Sequence, residues 1–184
     1  MFKLFIIIFS LLSASVGLSA QGIPSNSFKL YVSGEMAENT EFTQNMAFLG
    51  KIPSYSIVNL YINSPGGEIF VLYKYESIIA KKHLFVVAHV DHLAASAAAM
   101  MVCAAQQRII ADQALLMFHM PYRLINPMDI NSAHLPPTRA VIAKTRALWA
   151  KCRDLVPSKI ESAIVTEHFE YYLPGYLANS MKMR

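Results

Sequence analysis

The chain has 184 residues, of which 54% are hydrophobic and 15% are charged. This length suffices for one compact domain, and so apolar a composition excludes an intrinsically disordered chain. The net charge is +4, and the basic residues are scattered without the runs typical of nucleic-acid-binding proteins, so no nucleic-acid partner is expected. The sequence contains two cysteines, Cys103 and Cys152. This number excludes a cysteine-rich scaffold, whereas a pairing between the two remains open.

The first 20 residues have the pattern of a secretory signal peptide. A single early cation, Lys3, precedes the apolar run Leu4–Leu12 and the small-residue tail Ser13–Ala20. We expect cleavage after Ala20, which leaves residues 21–184 as one mature domain in the periplasm or outside the cell. The alternative is that this segment is not cleaved and anchors the protein at a membrane. No other stretch of the sequence reaches the roughly 20 apolar residues that a membrane span needs.

Hydrophobic periodicity predicts that strands and helices alternate along the chain. The predicted strands are Phe28–Val32, Ser56–Ile62, Leu84–Val90, Arg108–Ala111 and Leu115–Phe118. The predicted helices are Glu38–Leu49, Glu68 to about Lys81, Leu93–Ala105, Thr138–Leu155 and Ser158–Phe169. We expect a turn at Asn63–Gly67, an irregular segment at Tyr122–Pro137, and a capping box formed by Ser158 and Glu161. The order predicts an α/β domain with a parallel sheet, right-handed crossovers and C-terminal helices.

Three short segments carry residues that are suited to catalysis. Tyr61–Gly67 ends a strand in Ser-Pro-Gly-Gly, and bare glycine N–H groups at the carboxyl edge of a sheet suit an oxyanion hole. Leu93–Ala99 places Ser96 in the first turn of a helix, where the helix dipole favours developing negative charge. Met117–Pro121 ends a strand in His119, a candidate base for the serine. Taken singly, the segments also fit a tight turn, helix packing and a structural histidine.

In this order and at this spacing, the three segments resemble the proteolytic subunit of the Clp protease. That family carries its nucleophile in an Ala-Ala-Ser helix and its base in a His-x-Pro strand end, with Asn-Ser-Pro-Gly-Gly ahead of both. The matching residues here are Ala94–Ser96, His119–Pro121 and Asn63–Gly67. The resemblance extends over about residues 28–121. It implies a crotonase-like α/β fold with a small second sheet, and a serine protease with a Ser-His-acid triad.

The resemblance also implies a role for each matching residue. Ser96 would be the nucleophile and His119 the general base, and the N–H groups of Gly67 and Ala97 would hold the oxyanion. Glu170 is the closest match to the aspartate of the family and would orient the imidazole. Substrate would bind as an added β-strand against the backbone of Glu68, Ile69, Phe70, Tyr122 and Arg123. No cofactor and no metal ion are expected.

Three functional hypotheses follow. The first is an exported serine endopeptidase, expected to be a homo-oligomer, that hydrolyses peptides or unfolded polypeptides without an ATPase partner because the periplasm holds no ATP. The second is an envelope peptidase of the signal-peptide-peptidase class, in which Lys144 would deprotonate Ser96 in a Ser-Lys dyad. The third is a non-catalytic assembly subunit. His92 and Glu170 motivate it, since the family has a glycine and an aspartate at these positions.

Overall fold

The computed structural model describes residues 26–124, 134–135, 137–167 and 170–181, so the predicted signal peptide lies outside the described residues. The strands are β1 (Ser27–Met36), β2 (Ile57–Gly67), β3 (Phe85–Ala95), β4 (Gln107–Ile110), β5 (Leu115–Phe118), β6 (Arg123–Leu124), β7 (His134–Leu135) and β8 (Tyr171–Pro174). The helices are α1 (Thr40–Lys51), α2 (Ile69–Lys81), α3 (Ala97–Ala104), α4 (Arg139–Trp149), α5 (Ser158–Glu167) and α6 (Gly175–Met181), with a 3-10 turn at Ala150–Cys152. In the described ranges, no helix is long and apolar enough to cross a membrane.

A six-stranded sheet organises the fold, in the order β1-β2-β3-β5-β8. The long strand β3 has two successive partners on one side, because β4 pairs with Val87–Val90 and β5 pairs with Leu93–Ala95. These pairings are parallel, and β8 closes the edge antiparallel to β5. Strands β6 and β7 form a separate two-stranded sheet. The predicted α/β fold with a mostly parallel sheet is therefore confirmed.

The core lies where α3 packs between the sheet and the helices α2 and α4. Every residue from Ala97 to Cys103 is buried, and the small alanine side chains at its start let the helix approach the sheet closely. A disulfide joins Cys103 to Cys152 in the 3-10 turn after α4. The pairing left open by the sequence is thus present, and it ties the central helix to the C-terminal helical region.

Two predicted boundaries near the carboxyl ends of the strands are wrong. Asn63–Gly67 is not a turn but the extended end of β2, which pairs with the end of β1 after a register shift. The helix expected at Leu93 begins only at Ala97, because Leu93–Ala95 continues β3 and pairs with β5. In both places a neighbouring strand supplies hydrogen-bond partners, and this long-range pairing outweighs local propensity.

The C-terminal half also departs from the prediction. Helix α4 ends at Trp149 rather than at residue 155, and α5 begins with Ser158 itself, so the predicted capping box is wrong. The Glu161 carboxylate instead accepts hydrogen bonds from Arg146 and Arg153. Burial alone would raise the pKa of Glu161, but the two guanidinium groups outweigh it and lower that pKa below its usual range. This ion-pair cluster anchors α5 to the end of α4.

Candidate active site

Ser96 occupies a strained turn between β3 and α3. Its backbone has φ 56° and ψ −123°, a conformation that non-glycine residues rarely adopt and that costs about 1–3 kcal/mol. The Ser96 N–H donates to the carbonyl oxygen of Met117 at 2.8 Å, which fixes the turn to β5. The prediction that Ser96 lies in the first turn of the helix is therefore wrong by one position, because it is the N-cap residue. This sharp strand-to-helix turn is typical of nucleophilic serines in α/β hydrolases.

His119 follows directly after β5 and lies beside this turn. Its Nε2 atom is 2.7 Å from the Oγ atom of Ser96, within the range required of a general base. The contact arises from the sheet, because β5 pairs with the three residues immediately before Ser96. Both side chains are half-buried. The structure thus brings together the serine and the histidine that the sequence singled out.

The glycine pair at the end of β2 lies against the serine turn. Gly66 is buried, and a Cβ atom at this position would lie 2.5 Å from the carbonyl oxygen of Ala95 and 2.6 Å from Cβ of Ser96. Gly67 is exposed. The neighbouring N–H groups are engaged, since that of Gly66 donates to Ser64 at 3.1 Å and that of Glu68 donates to Met36 at 2.7 Å. Only glycine permits this close approach of β2 to the turn.

Ala97 is the first residue of α3, next to Ser96. N–H groups in the first turn of a helix have no intrahelical acceptor and point toward the positive end of the helix dipole. Gly67 and Ala97 are therefore on the two segments that flank Ser96, one at the end of β2 and one at the start of α3. This arrangement fits the expectation that their N–H groups face a developing oxyanion.

Glu170 directly precedes β8, and His119 directly follows its partner strand β5. The antiparallel register pairs Phe118 with Tyr171, so the next position along places His119 opposite Glu170. The exposed Glu170 carboxylate accepts a hydrogen bond from the Tyr172 hydroxyl at 2.7 Å. This bond to the carboxylate raises the pKa of Tyr172 above its ordinary value. The backbone thus brings Glu170 to the expected place, with its carboxylate held by Tyr172.

The residues expected to bind substrate lie at the rim of this site, but only some of them have a backbone that can pair with an added strand. Glu68 is extended, whereas Ile69 and Phe70 lie in the first turn of α2, so their helical backbone cannot pair with an added strand. Tyr122 is 47% exposed, and its ring centre is 5.5 Å from that of His119. The backbone of Arg123 pairs with that of Leu135 in the second sheet. The strand-addition surface beside Gly67 is thus shorter than predicted.

Lys144, the base of the alternative dyad, lies elsewhere. Its Nζ atom is 3.9 Å from Glu76 and 3.4 Å from the centre of the Tyr73 ring, both on α2. In the described ranges, no cluster of three or more His, Cys, Asp or Glu side chains is arranged to hold a metal ion. The geometry therefore supports a Ser-His pair rather than a Ser-Lys pair.

Three residues of the site were not identified from the sequence. Gly66 gives clearance to the serine turn, and Tyr172 holds Glu170. Ser64 is buried, and its Oγ atom donates to the Gly34 carbonyl at 2.6 Å while accepting from the Gly66 N–H. Ser64 and Gly66 belong to the heptapeptide Tyr61–Gly67, so that motif contained the signal. No local pattern marks Tyr172.

A model of the family described as Clp protease matches residues 25–151. The chain belongs to the Clp protease family. A comparison with curated proteins finds no match in sequence. Among solved structures, the chain is similar to the 1510-N membrane-bound stomatin-specific protease. A serine-to-alanine mutant of that protein has a TM-score of 0.59 at 12% identity, over 85% of this chain and 76% of that chain. A lysine-to-alanine mutant in complex with a substrate peptide has a TM-score of 0.60 at 13% identity, over 85% of this chain and 72% of that one.

Membership of the Clp protease family identifies the chain as a peptidase by class. The matched range contains the serine turn, the glycine pair and His119, whereas Glu170 lies beyond it. The identity to the stomatin-specific protease is low, so that likeness shows the shared fold alone.

Proposed function

We propose that this Clp-family chain is a serine endopeptidase that cleaves peptides or unfolded polypeptides with Ser96 as nucleophile and His119 as base. The observation that carries the proposal is the 2.7 Å separation between the His119 Nε2 and Ser96 Oγ atoms. A distance of this size allows direct proton transfer, and the strained turn presents the hydroxyl at the end of β3. A serine that served only helix packing would have no need of this strain.

The chemical steps follow from these positions. His119 takes the Ser96 proton as Oγ attacks the scissile carbonyl, which becomes a tetrahedral oxyanion. The N–H groups of Gly67 and Ala97 donate to this oxyanion, and removing one such donor typically costs about 10²–10³-fold in rate. The protonated imidazole then gives its proton to the leaving amine. His119 then takes a proton from water as the water attacks the acyl-enzyme, and it returns a proton to Ser96 Oγ as the acid product leaves.

We assign Glu170 as the acid that orients His119. Its support is the β5–β8 register, whose last pair, Phe118 with Tyr171, is adjacent in the chain to both residues. The Tyr172 hydroxyl bonds to Oε2 of the carboxylate, so Oε1 is the oxygen that would accept from the imidazole. On this assignment Tyr172 acts only by holding the carboxylate.

Export of the protein is the second part of the proposal. It is supported by the signal-peptide pattern of residues 1–20 and by the disulfide between the fully buried Cys103 and Cys152. Disulfides persist in oxidising compartments such as the periplasm and are rare in the cytosol. A peptidase in such a compartment has no ATP for an unfoldase partner, so its substrates are chains that are already short or unfolded.

We also propose that copies of the chain associate with one another. Tyr31, Tyr61 and His89 stack in a row on the face of the sheet opposite the core, with ring centres 5.1 and 4.5 Å apart. Tyr31 is 55% exposed. Aromatic side chains of this kind are enriched at protein interfaces. Light scattering of the purified protein tests this part, and a monomer at micromolar concentration would contradict it.

The decisive experiment compares peptide hydrolysis by matched variants in the absence of ATP. A library of fluorogenic peptides serves as substrate, and folding of each variant is checked by circular dichroism. We expect Ser96→Ala to abolish cleavage and His119→Ala to reduce it far more than Lys144→Ala does. A larger loss with Lys144→Ala would support the Ser-Lys mechanism. Folded wild-type protein that cleaves no peptide would support a non-catalytic assembly subunit.

A further inference from the structure

A cavity of about 340 Å³ lies between α2, α4 and the C-terminal half of α3. Its volume is at the lower end of the range for small-molecule sites. The floor is apolar and is formed by Leu60, Leu72, Ile79, Val86 and Met101. Met101 is five residues along the chain from Ser96, which corresponds to roughly 8 Å along a helix. The cavity is therefore separate from the candidate active site and has no part in the proposed chemistry.

Two lysines and one carboxylate form the polar rim of this cavity. The Nζ atoms of Lys144 and Lys151 lie 3.9 and 3.8 Å from the two carboxylate oxygens of Glu76. Two cations thus flank one anion, and the rim has a net positive charge. These distances are too long for hydrogen bonds, so both ammonium groups keep N–H donors for a further acceptor. The rim is complementary to a ligand with one negative charge.

The walls favour an acyl chain over a peptide. They are formed largely by helices, whose backbone N–H and carbonyl groups bond within each helix, so they offer no strand edge to a peptide main chain. Tyr73 also lines the cavity, and its buried hydroxyl lies next to the buried side chain of Thr145.

We propose that this cavity binds a medium-chain monocarboxylate, with the acyl chain on the apolar floor and the carboxylate between Lys144 and Lys151. Burial of the chain supplies affinity, at about 0.8 kcal/mol for each buried methylene group. The two ammonium groups supply selectivity for an anionic head. The proposal does not depend on the proteolytic mechanism, because none of the residues that line the cavity belongs to the candidate active site.

Isothermal titration calorimetry of the purified protein with decanoate, below its micelle concentration, tests this site. We expect saturable binding at one site that the double variant Lys144→Gln/Lys151→Gln weakens at least tenfold. Lys74→Gln is the matched control, because Lys74 lies on α2 but pairs with Glu38 outside the cavity. It should leave the affinity unchanged. Decanol and decyltrimethylammonium should bind at least tenfold more weakly than decanoate.

A second measurement keeps the test independent of variant folding. In the unaltered protein, decanoate should shift the methyl NMR signal of Met101, which lines the cavity, and leave that of Met36 in β1 unchanged. The proposal is overturned if decanoate does not bind, if decanol binds as tightly, or if the double variant retains full affinity. It is also overturned if a peptide ending in leucine shifts Met101 more strongly than decanoate at equal concentration.

Discussion

Replacing Gly66 with alanine should damage both the stability and the reactivity of the serine turn. Gly66 has φ +92°, and an alanine Cβ would meet the backbone of Ala95 and the side chain of Ser96 at 2.5–2.6 Å. The left-handed backbone costs an alanine about 1–2 kcal/mol, and overpacking adds about 1–3 kcal/mol. We therefore expect the free energy of unfolding to fall by about 2–5 kcal/mol.

Two other glycines separate these contributions. Gly34 has φ +67° but open space around its Cβ position, so Gly34→Ala should cost only the backbone term of about 1–2 kcal/mol. Gly50 has open space and no positive φ in helix α1, so Gly50→Ala should stabilise the protein by about 0.5–1 kcal/mol. Urea denaturation of the three variants gives the ranking directly.

The functional effect is measured as the rate of acylation by a fluorophosphonate probe. A displacement of the serine by about 1 Å can reduce a rate about 10²-fold, so Gly66→Ala should label about 10²-fold more slowly than Gly34→Ala or Gly50→Ala. If Gly66→Ala is no less stable than Gly34→Ala and labels at the same rate, the close contact between β2 and the serine turn is not real, and the reasoning fails.

Three further predictions concern the disulfide, the buried carboxylate and the proposed acid. The Cys103–Cys152 disulfide spans 49 residues, so reduction should lower the free energy of unfolding by about 4 kcal/mol; urea curves with and without dithiothreitol check this, and coincident curves would contradict it. Because the pKa of Glu161 is lower in the folded protein than its unfolded value near 4.5, ionised Glu161 stabilises the fold above about pH 4.5, and this stabilisation is lost as the pH falls through the folded pKa. Glu161→Gln should therefore flatten the acid limb of the plot of stability against pH, and an unchanged limb would refute the ion-pair assignment. Glu170→Gln should slow acylation, and Tyr172→Phe should slow it less, because the phenol acts on the imidazole only by holding the carboxylate; no loss with Glu170→Gln, or an equal loss in the two variants, would contradict this assignment.

The parts of the site that could be predicted are those encoded in contiguous residues. The segments containing Gly67, Ser96 and His119 each carry a recognisable pattern, and alternating strands and helices place the ends of parallel strands at one edge of a sheet. This alternation predicts a parallel sheet, but it does not give the strand order. The resemblance of the three segments to the Clp protease family then predicts that Ser96 and His119 act together.

What could not be predicted depends on pairing between distant segments. The ends of β2 and β3 stay extended because β1 and β5 supply hydrogen-bond partners, and local patterns contain no information about those partners. Glu170 and Tyr172 are only two residues apart at the start of β8, but it is the β5–β8 register that brings them to His119. The cavity beneath Lys144 likewise requires three helices in place, and no local pattern specifies how they pack together.

The central claim is that His119 activates Ser96. The most direct measurement is the rate of fluorophosphonate acylation, with the modified residue located by peptide mass spectrometry, in the unaltered protein and in His119→Gln. The account predicts one adduct, on Ser96, that forms about 10²–10⁴-fold more slowly without the imidazole. An adduct on another residue, or an equal rate in the two proteins, would contradict it.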